Sequence, residues 1–71
     1  MIVNASKIRV GDTVATWWRP GRDTVMEIEP YTGPLEELAG GWLFKFAICD
    51  GMTAAPGDTF DRLATGRGAG E

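Results

Sequence analysis

The chain has 71 residues, 44% of them hydrophobic, and its 7 basic and 10 acidic side chains give a net charge of −3. This length has room for one core, and the apolar fraction excludes wholesale disorder. The absence of His and the single Cys exclude a disulfide framework, a zinc knuckle and nucleophiles activated by His. Because no apolar run approaches the ~20 residues of a membrane helix and no signal peptide is apparent, we expect a cytoplasmic protein.

Glycines and prolines divide the chain into short segments rich in Val, Ile, Thr, Trp and Phe. Turn residues at regular intervals around β-prone runs are typical of a small sandwich or barrel. In chain order we predict an edge strand at residues 2–3, longer strands at residues 12–18, 23–30 and 42–49, and short strands at residues 51–54 and 59–63.

In the 12–18 segment, Val14, Thr16 and Trp18 share one face of the predicted strand. The alternate residues, which end with Trp17, share the other face. Both faces are partly apolar, so the pattern leaves open which Trp lies inside. Pro20 and Gly21 occupy the second and third positions of the next turn, which predicts a type II turn. The turn should join the 12–18 and 23–30 strands as an antiparallel pair.

The 23–30 segment places Thr24, Met26 and Ile28 on one face and Val25 on the other. After it, residues 34–39 predict one short helical turn within the 31–41 segment. Proline suits the first turn of a helix, acidic residues suit its dipole, and a glycine suits its end.

The 42–49 segment has the strongest strand pattern in the chain. Its larger apolar side chains share one face, which predicts a core face made of Trp42, Phe44, Phe46 and Ile48. The opposite face carries Leu43 and is unusually apolar for a solvated surface. The last eight residues, 64–71, hold three glycines and no large apolar group. We therefore expect a single domain over residues 1–63 and a mobile tail over residues 64–71.

The run from Ile8 through Gly11 to Val14 resembles the start of the first long strand in small SH3-like β-barrels. Residues 51–53 and 58–63 are similar to the short fourth strand and the closing fifth strand of those barrels. The resemblance implies an all-β, five-stranded barrel with a short helical turn in one loop. Members of that fold bind proteins, nucleic acids or small ligands, so the fold alone implies no single function. The chain also resembles phage-encoded inhibitor proteins in size and style.

Residues 17–22 carry the most suggestive combination of side chains in the chain. Because neighbours on a strand point to opposite faces, one of the two Trp residues should lie outward, beside two arginines. Exposed Trp and Arg are enriched at the centres of protein interfaces. The alternative is that this Trp packs beneath the 34–41 segment or the N-terminal segment while both arginines are solvated. On the first interpretation, the predicted binding residues are Trp17, Trp18, Arg19, Arg22, Tyr31, Leu35, Leu38 and Leu43.

A small barrel has little interior, so Val25, Leu35, Leu38, Leu43 and one Trp exceed what it should bury. Surplus apolar surface and free edge strands are typical of interfaces, including those between copies of one chain. The sequence therefore favours a protein partner and is compatible with a homodimer.

Side chains that could perform chemistry are few. Cys49 is interpreted as a small buried hydrophobic residue. Three carboxylates, Asp50, Asp58 and Asp61, flank residues 51–57 and offer a hard cation oxygen ligands. Turn formation beside a glycine also explains Asp50 and Asp58, and this is the preferred interpretation. We predict no enzyme activity, cofactor or metal.

Residues 1–22 carry four basic and one acidic side chain, whereas residues 23–71 carry three basic and nine acidic ones. The acidic whole argues against non-specific DNA binding, while the basic end can hold one anionic group. We therefore predict a non-catalytic binding module, a protein-interaction or inhibitor protein of the phage anti-defence type. The alternative is an oligomer that binds or sequesters a small, nucleotide-like anion.

Overall fold

The computed structural model describes residues 1–66 and shows an antiparallel sheet with two single-turn 3-10 helices, Ala5–Lys7 and Glu36–Leu38. The strands are β1 (Ile2–Asn4), β2 (Thr13–Ala15), β3 (Arg22–Pro30), β4 (Trp42–Phe46), β5 (Met52–Ala54) and β6 (Thr59–Ala64). In the described part of the chain, no helix has the length and apolar character needed to cross a bilayer. The predicted all-β class is confirmed.

The sheet has the strand order β1-β6-β2-β3-β4-β5, and every neighbouring pair is antiparallel. The expected five-stranded, closed barrel is therefore not observed, because the sheet has six strands and is open. Strand β1 occupies the outer side of β6, and β5 pairs with β4 alone. Both ends of the sheet consequently present edge strands.

Strand β3 contains a bulge at Met26. Val25 pairs with Phe46 and Glu27 pairs with Lys45, so Met26 is an extra residue without a partner. Val25 is fully buried, whereas Met26 is 55% exposed, and Ile28 packs against the core. The prediction that Met26 and Ile28 share a face is wrong, and so is the prediction that Val25 is surplus, because the bulge reverses the alternation.

The buried core is formed by side chains from β2 to β6 and from the segment that precedes β2, and half-buried Val3 of β1 packs against it. Its buried apolar residues are Ala5, Ile8, Val14, Val25, Phe44, Phe46, Ala54 and Phe60. Phe44 meets Phe60 in an edge-to-face contact with 5.3 Å between ring centroids. The predicted core face of the 42–49 segment is confirmed at Phe44 and Phe46, while Trp42 is only half-buried. Ile48 is 57% exposed, because β4 ends at Phe46 and the chain then turns.

Asp12 joins the start of β2 to the end of β6. Its buried carboxylate accepts hydrogen bonds from the backbone N–H groups of Arg9 (2.9 Å) and Gly66 (2.8 Å) and pairs with Arg62 at 3.6 Å. Gly66 is buried against Gly11, where a Cβ on either residue would crowd the other backbone. Ordered structure thus extends beyond residue 63, and residues 67–71 of the expected tail lie outside the described residues.

The 31–41 loop is closed at its base. The backbone N–H of Tyr31 donates to the Gly41 carbonyl (2.9 Å), and the Tyr31 hydroxyl accepts from the N–H of Leu35 (3.1 Å). A Cβ at Gly41 would overlap the Ala54 carbonyl oxygen, so glycine allows the loop to approach β5. One 3-10 turn, Glu36–Leu38, lies where the short helical turn was predicted.

Candidate binding surface

The connection between β2 and β3 is a tight hairpin tip at residues 16–21. The N–H of Thr16 donates to the Gly21 carbonyl (2.9 Å), and the N–H of Gly21 donates to the Trp18 carbonyl (2.7 Å). Pro20, preceded by a cis peptide bond, is the third residue of this turn, and Gly21 has φ of 95°. The predicted antiparallel pairing of the two strands is confirmed, but the type II turn is wrong because the turn closes one residue earlier.

The two tryptophans of the hairpin tip point in different directions. Trp18 packs against Phe46 with 5.4 Å between ring centroids, and its indole Nε1 donates to Asp23 (2.9 Å). Trp17 is 88% exposed and stands edge-to-face on Trp18, at 5.3 Å between ring centroids and 85° between ring planes. Trp17 is therefore the outward residue that the alternating pattern left undetermined.

The buried carboxylate of Asp23 holds the Trp18 indole in place. This residue is 4% exposed, and besides Trp18 its carboxylate accepts hydrogen bonds from the backbone N–H groups of Thr24 (2.8 Å), Ile48 (3.1 Å) and Cys49 (3.0 Å). Burial acts to raise the pKa of Asp23, but the four donors outweigh it and hold the pKa below its ordinary value. The ionised carboxylate thus links the hairpin tip to the turn after β4.

No local sequence pattern singles out Asp23. Its position directly after the turn is ordinary for an aspartate in a loop, and the strand alternation around it gives no sign of burial. Two of its four donors, the N–H groups of Ile48 and Cys49, lie about 25 residues further along the chain, so no local pattern indicates them.

Arg19 and Arg22 flank the hairpin tip, and both are exposed. The four ion pairs found within residues 1–66 involve other groups, and neither guanidinium donates a hydrogen bond there. Both cations are therefore available to an external carboxylate or phosphate.

A groove of about 340 Å³ runs beside Trp17, where the sheet is open between the hairpin, β5 and β6. We call it the tryptophan groove; it is lined by Ala15, Thr16, Trp17, Trp18, Met52, Thr59, Phe60 and Asp61. Asp61, at its rim, pairs with the ammonium group of Met1 at 2.8 Å. Since most of the lining is apolar, the groove fits an apolar side chain.

The remaining predicted binding residues lie elsewhere. Tyr31, Leu38 and Leu43 are half-buried and Leu35 is 51% exposed, all in or beside the 31–41 loop. The hairpin tip precedes β3 and the 31–41 loop follows it. The nine residues of β3 therefore separate the loop from the tip by about 25 Å along the strand. The structure therefore groups Trp17, Trp18, Arg19 and Arg22 and leaves the four apolar residues at the other end of β3.

Two of the three candidate carboxylates have structural partners, and the third, Asp50, is exposed. Asp58 accepts from the N–H of Ala55 (2.8 Å), as expected for a turn, and Asp61 holds the N-terminal ammonium. Within residues 1–66, no three His, Cys, Asp or Glu side chains converge as metal ligands would. Cys49 is half-buried, and its thiol donates to the Gly51 carbonyl (3.4 Å).

Comparison of the chain with protein-family models, with curated proteins and with solved structures gives no match. The geometry therefore defines the class: a small, open, all-β domain that presents a supported tryptophan and two exposed arginines at one hairpin tip.

Proposed function

We propose that this protein is a non-catalytic binding module that docks its hairpin tip on another protein and acts by occluding the surface it covers. The observation that carries the proposal is the 88% exposure of Trp17. Burial of an exposed Trp side chain at an interface contributes more binding free energy than burial of any other residue type in the chain. An inhibitor or adaptor role follows from this mode of action.

Trp17 is also prepared for binding. Its ring is supported by Trp18, which is fixed by Asp23 and Phe46. An anchor already held in one orientation loses less conformational entropy on association than a mobile one. Arg19 lies within the same turn and Arg22 directly follows it, so both exposed cations are close to Trp17 in the chain.

The partner surface that complements this site has an apolar depression surrounded by carboxylates. Trp17 fills the depression, and Arg19 and Arg22 pair with the carboxylates. An apolar side chain of the partner enters the tryptophan groove between Met52 and Phe60. This arrangement gives the interface an aromatic centre and a charged rim.

We also propose that the chain is an opened variant of the SH3-like barrel. Strands β2 to β5 form a meander, and β6 returns to pair with β2, which gives the order β6-β2-β3-β4-β5. This order supports the resemblance noted at residues 8–14, 51–53 and 58–63. The additional strand β1 extends the sheet beyond β6.

The test compares immobilised wild-type protein with Trp17→Ala and with the control Met26→Ala, which removes another exposed apolar side chain from β3. We expect a protein from the source cells to bind the wild type and the control but not Trp17→Ala. With that partner purified, Trp17→Ala should raise Kd by about 30-fold or more, in line with loss of an interface anchor. Equal Kd values for the wild type and Trp17→Ala, or no partner at all, would contradict the proposal.

A second copy of the chain is the competing partner. Sedimentation velocity distinguishes it, because a homodimer built on the hairpin tip would dissociate in Trp17→Ala and persist in Met26→Ala. That result would show that the hairpin tip binds a second copy of this chain and not another protein.

A further inference from the structure

A second groove lies near the end of β3 farthest from the hairpin tip. It has a volume of about 620 Å³ and is lined by Ala5, Ser6, Ile8, Arg9, Val10, Ile28 and Trp42. We call it the Arg9 groove. This volume falls within the range of roughly 300–1,000 Å³ that is usual for small-molecule sites.

Apolar side chains form most of the groove. Ile28 and Trp42 are half-buried and pack against the core, and Val10 is 51% exposed. The ring of Trp42 lies 6.4 Å from that of Phe44, measured between centroids. These residues offer a flat molecule an aromatic surface and two aliphatic contacts.

The polar groups of the groove favour an anion. Nη1 of Arg9 donates to the carbonyls of Ser6 (3.2 Å) and Ile8 (3.3 Å), so the guanidinium is held against the groove wall. Its other N–H groups, the Ser6 hydroxyl and the Trp42 indole N–H have no hydrogen-bond partner within residues 1–66. None of the lining residues is acidic. The groove lining thus combines a cation and hydrogen-bond donors with no acidic residue. The carboxylate of neighbouring Asp12 is buried and already accepts from the backbone N–H groups of Arg9 and Gly66.

We propose that the Arg9 groove binds a small ligand in which a flat ring carries a phosphate group, as in a nucleoside monophosphate. The ring stacks on Trp42 between Val10 and Ile28, and the phosphate accepts hydrogen bonds from Arg9 and Ser6. Guanidinium is the side-chain group whose planar set of donors best matches phosphate oxygens. This site is separate from the hairpin tip and does not depend on the function proposed for Trp17.

The three tryptophans provide the readout. Each indole N–H gives its own signal in a ¹H–¹⁵N NMR spectrum of the full chain, and the probes are AMP, adenosine and inorganic phosphate. We expect AMP to shift the Trp42 signal saturably while the Trp17 and Trp18 signals stay in place. Adenosine and phosphate, each offering half of the ligand, should bind about tenfold or more weakly than AMP.

Arg9→Gln tests the anion contact, with Lys7→Gln as the matched control, because Lys7 is an exposed cation nearby that does not line the groove. Arg9→Gln should weaken AMP binding by about tenfold, as expected for loss of a charge-assisted hydrogen bond, and Lys7→Gln should not change it. Unchanged signals outside the groove verify that both variants are folded. Equal AMP affinity in the two variants, adenosine binding as tight as AMP, movement of Trp17 or Trp18 instead of Trp42, or no saturation by about 10 mM AMP would overturn the proposal.

Discussion

The carboxylate of Asp23 holds together the hairpin tip, the start of β3 and the turn after β4. Asp23→Asn replaces one acceptor oxygen with an N–H₂ group that faces the backbone donors of residues 48 and 49 or the indole of Trp18. We expect a loss of about 2–4 kcal/mol in the free energy of unfolding, because buried donors lose their partner. Urea denaturation measures it. The control Asp50→Asn, at an exposed position, should change stability by less than about 0.5 kcal/mol, and equal effects would contradict this account.

Asp23 also makes stability depend on pH. Its pKa is lower in the folded protein than in the unfolded chain, so the unfolded state binds more protons as the solution is acidified. Its contribution is therefore complete above the unfolded pKa of about 3.9 and is lost as pH falls through the lower folded value. The difference in unfolding free energy between wild type and Asp23→Asn should be constant above about pH 5 and shrink below pH 4. A difference that grows on acidification would mean that folding raises the pKa of Asp23, which contradicts this account.

The two neighbouring tryptophans should separate stability from binding. Trp17→Ala should alter the free energy of unfolding by less than about 0.5 kcal/mol, because the side chain is exposed. Trp18→Ala should cost about 2–4 kcal/mol, since it removes packing on Phe46 and a donor to Asp23. Thermal and urea unfolding monitored by circular dichroism compare the variants. A large cost at Trp17 would show that its ring supports the fold.

At the level of strands, the bulge in β3 determines which residues enter the core. Val25 and Ile28 are three positions apart, so a regular strand would place them on opposite faces, and the bulge lets both point inward. Deleting Met26 would leave Val25 and Ile28 on the same face of a regular ladder. We therefore expect this deletion to cost less than about 1 kcal/mol. Deleting Lys45 should cost about 3 kcal/mol or more, because it turns one of the two buried phenylalanines of β4 outward. Equal denaturant midpoints for the two deletions would contradict this account of the register.

The sequence predicted the position of every strand because glycine and proline interrupt the chain and β-prone residues fill the intervals. The bulge at Met26 was missed, since an extra residue in one strand is defined by its partner strand and leaves no local pattern. Ile48 was assigned to the core because the alternation continues through it, although β4 has already ended. Both errors concern where the pairing between two strands ends or shifts its register, and this depends on contacts between residues distant in sequence.

The candidate site was predicted in part. Composition alone indicated that residues 17–22 carry more aromatic and cationic character than a turn requires. The choice of Trp17 over Trp18 depends on Asp23, whose partners come from three separate segments. Grouping residues 31–43 with the hairpin tip overlooked the antiparallel order, which places the loop after β3 at the opposite end from the loop before it.

Over the whole molecule, the net charge is −3, yet the hairpin tip presents two exposed arginines that form no ion pair with any residue from 1 to 66. An acidic partner is thus attracted locally and repelled by the rest of the surface. We expect the double variant Arg19→Gln/Arg22→Gln to slow association with the partner by about tenfold at low salt, with a smaller change in dissociation. Surface plasmon resonance between about 50 and 500 mM NaCl measures both rates. An association rate with the same salt dependence in wild type and variant would exclude a steering role.

The closed base of the 31–41 loop has a practical consequence. Because Tyr31 and Gly41 are joined by a hydrogen bond and Gly41 sits directly on β5, the intervening residues form an appendage whose ends stay together. Lengthening such a loop adds little entropic cost, about 0.6 kcal/mol for each doubling. Foreign sequence, such as an epitope or a peptide for display, can therefore be grafted between residues 32 and 35 while the six strands keep their order.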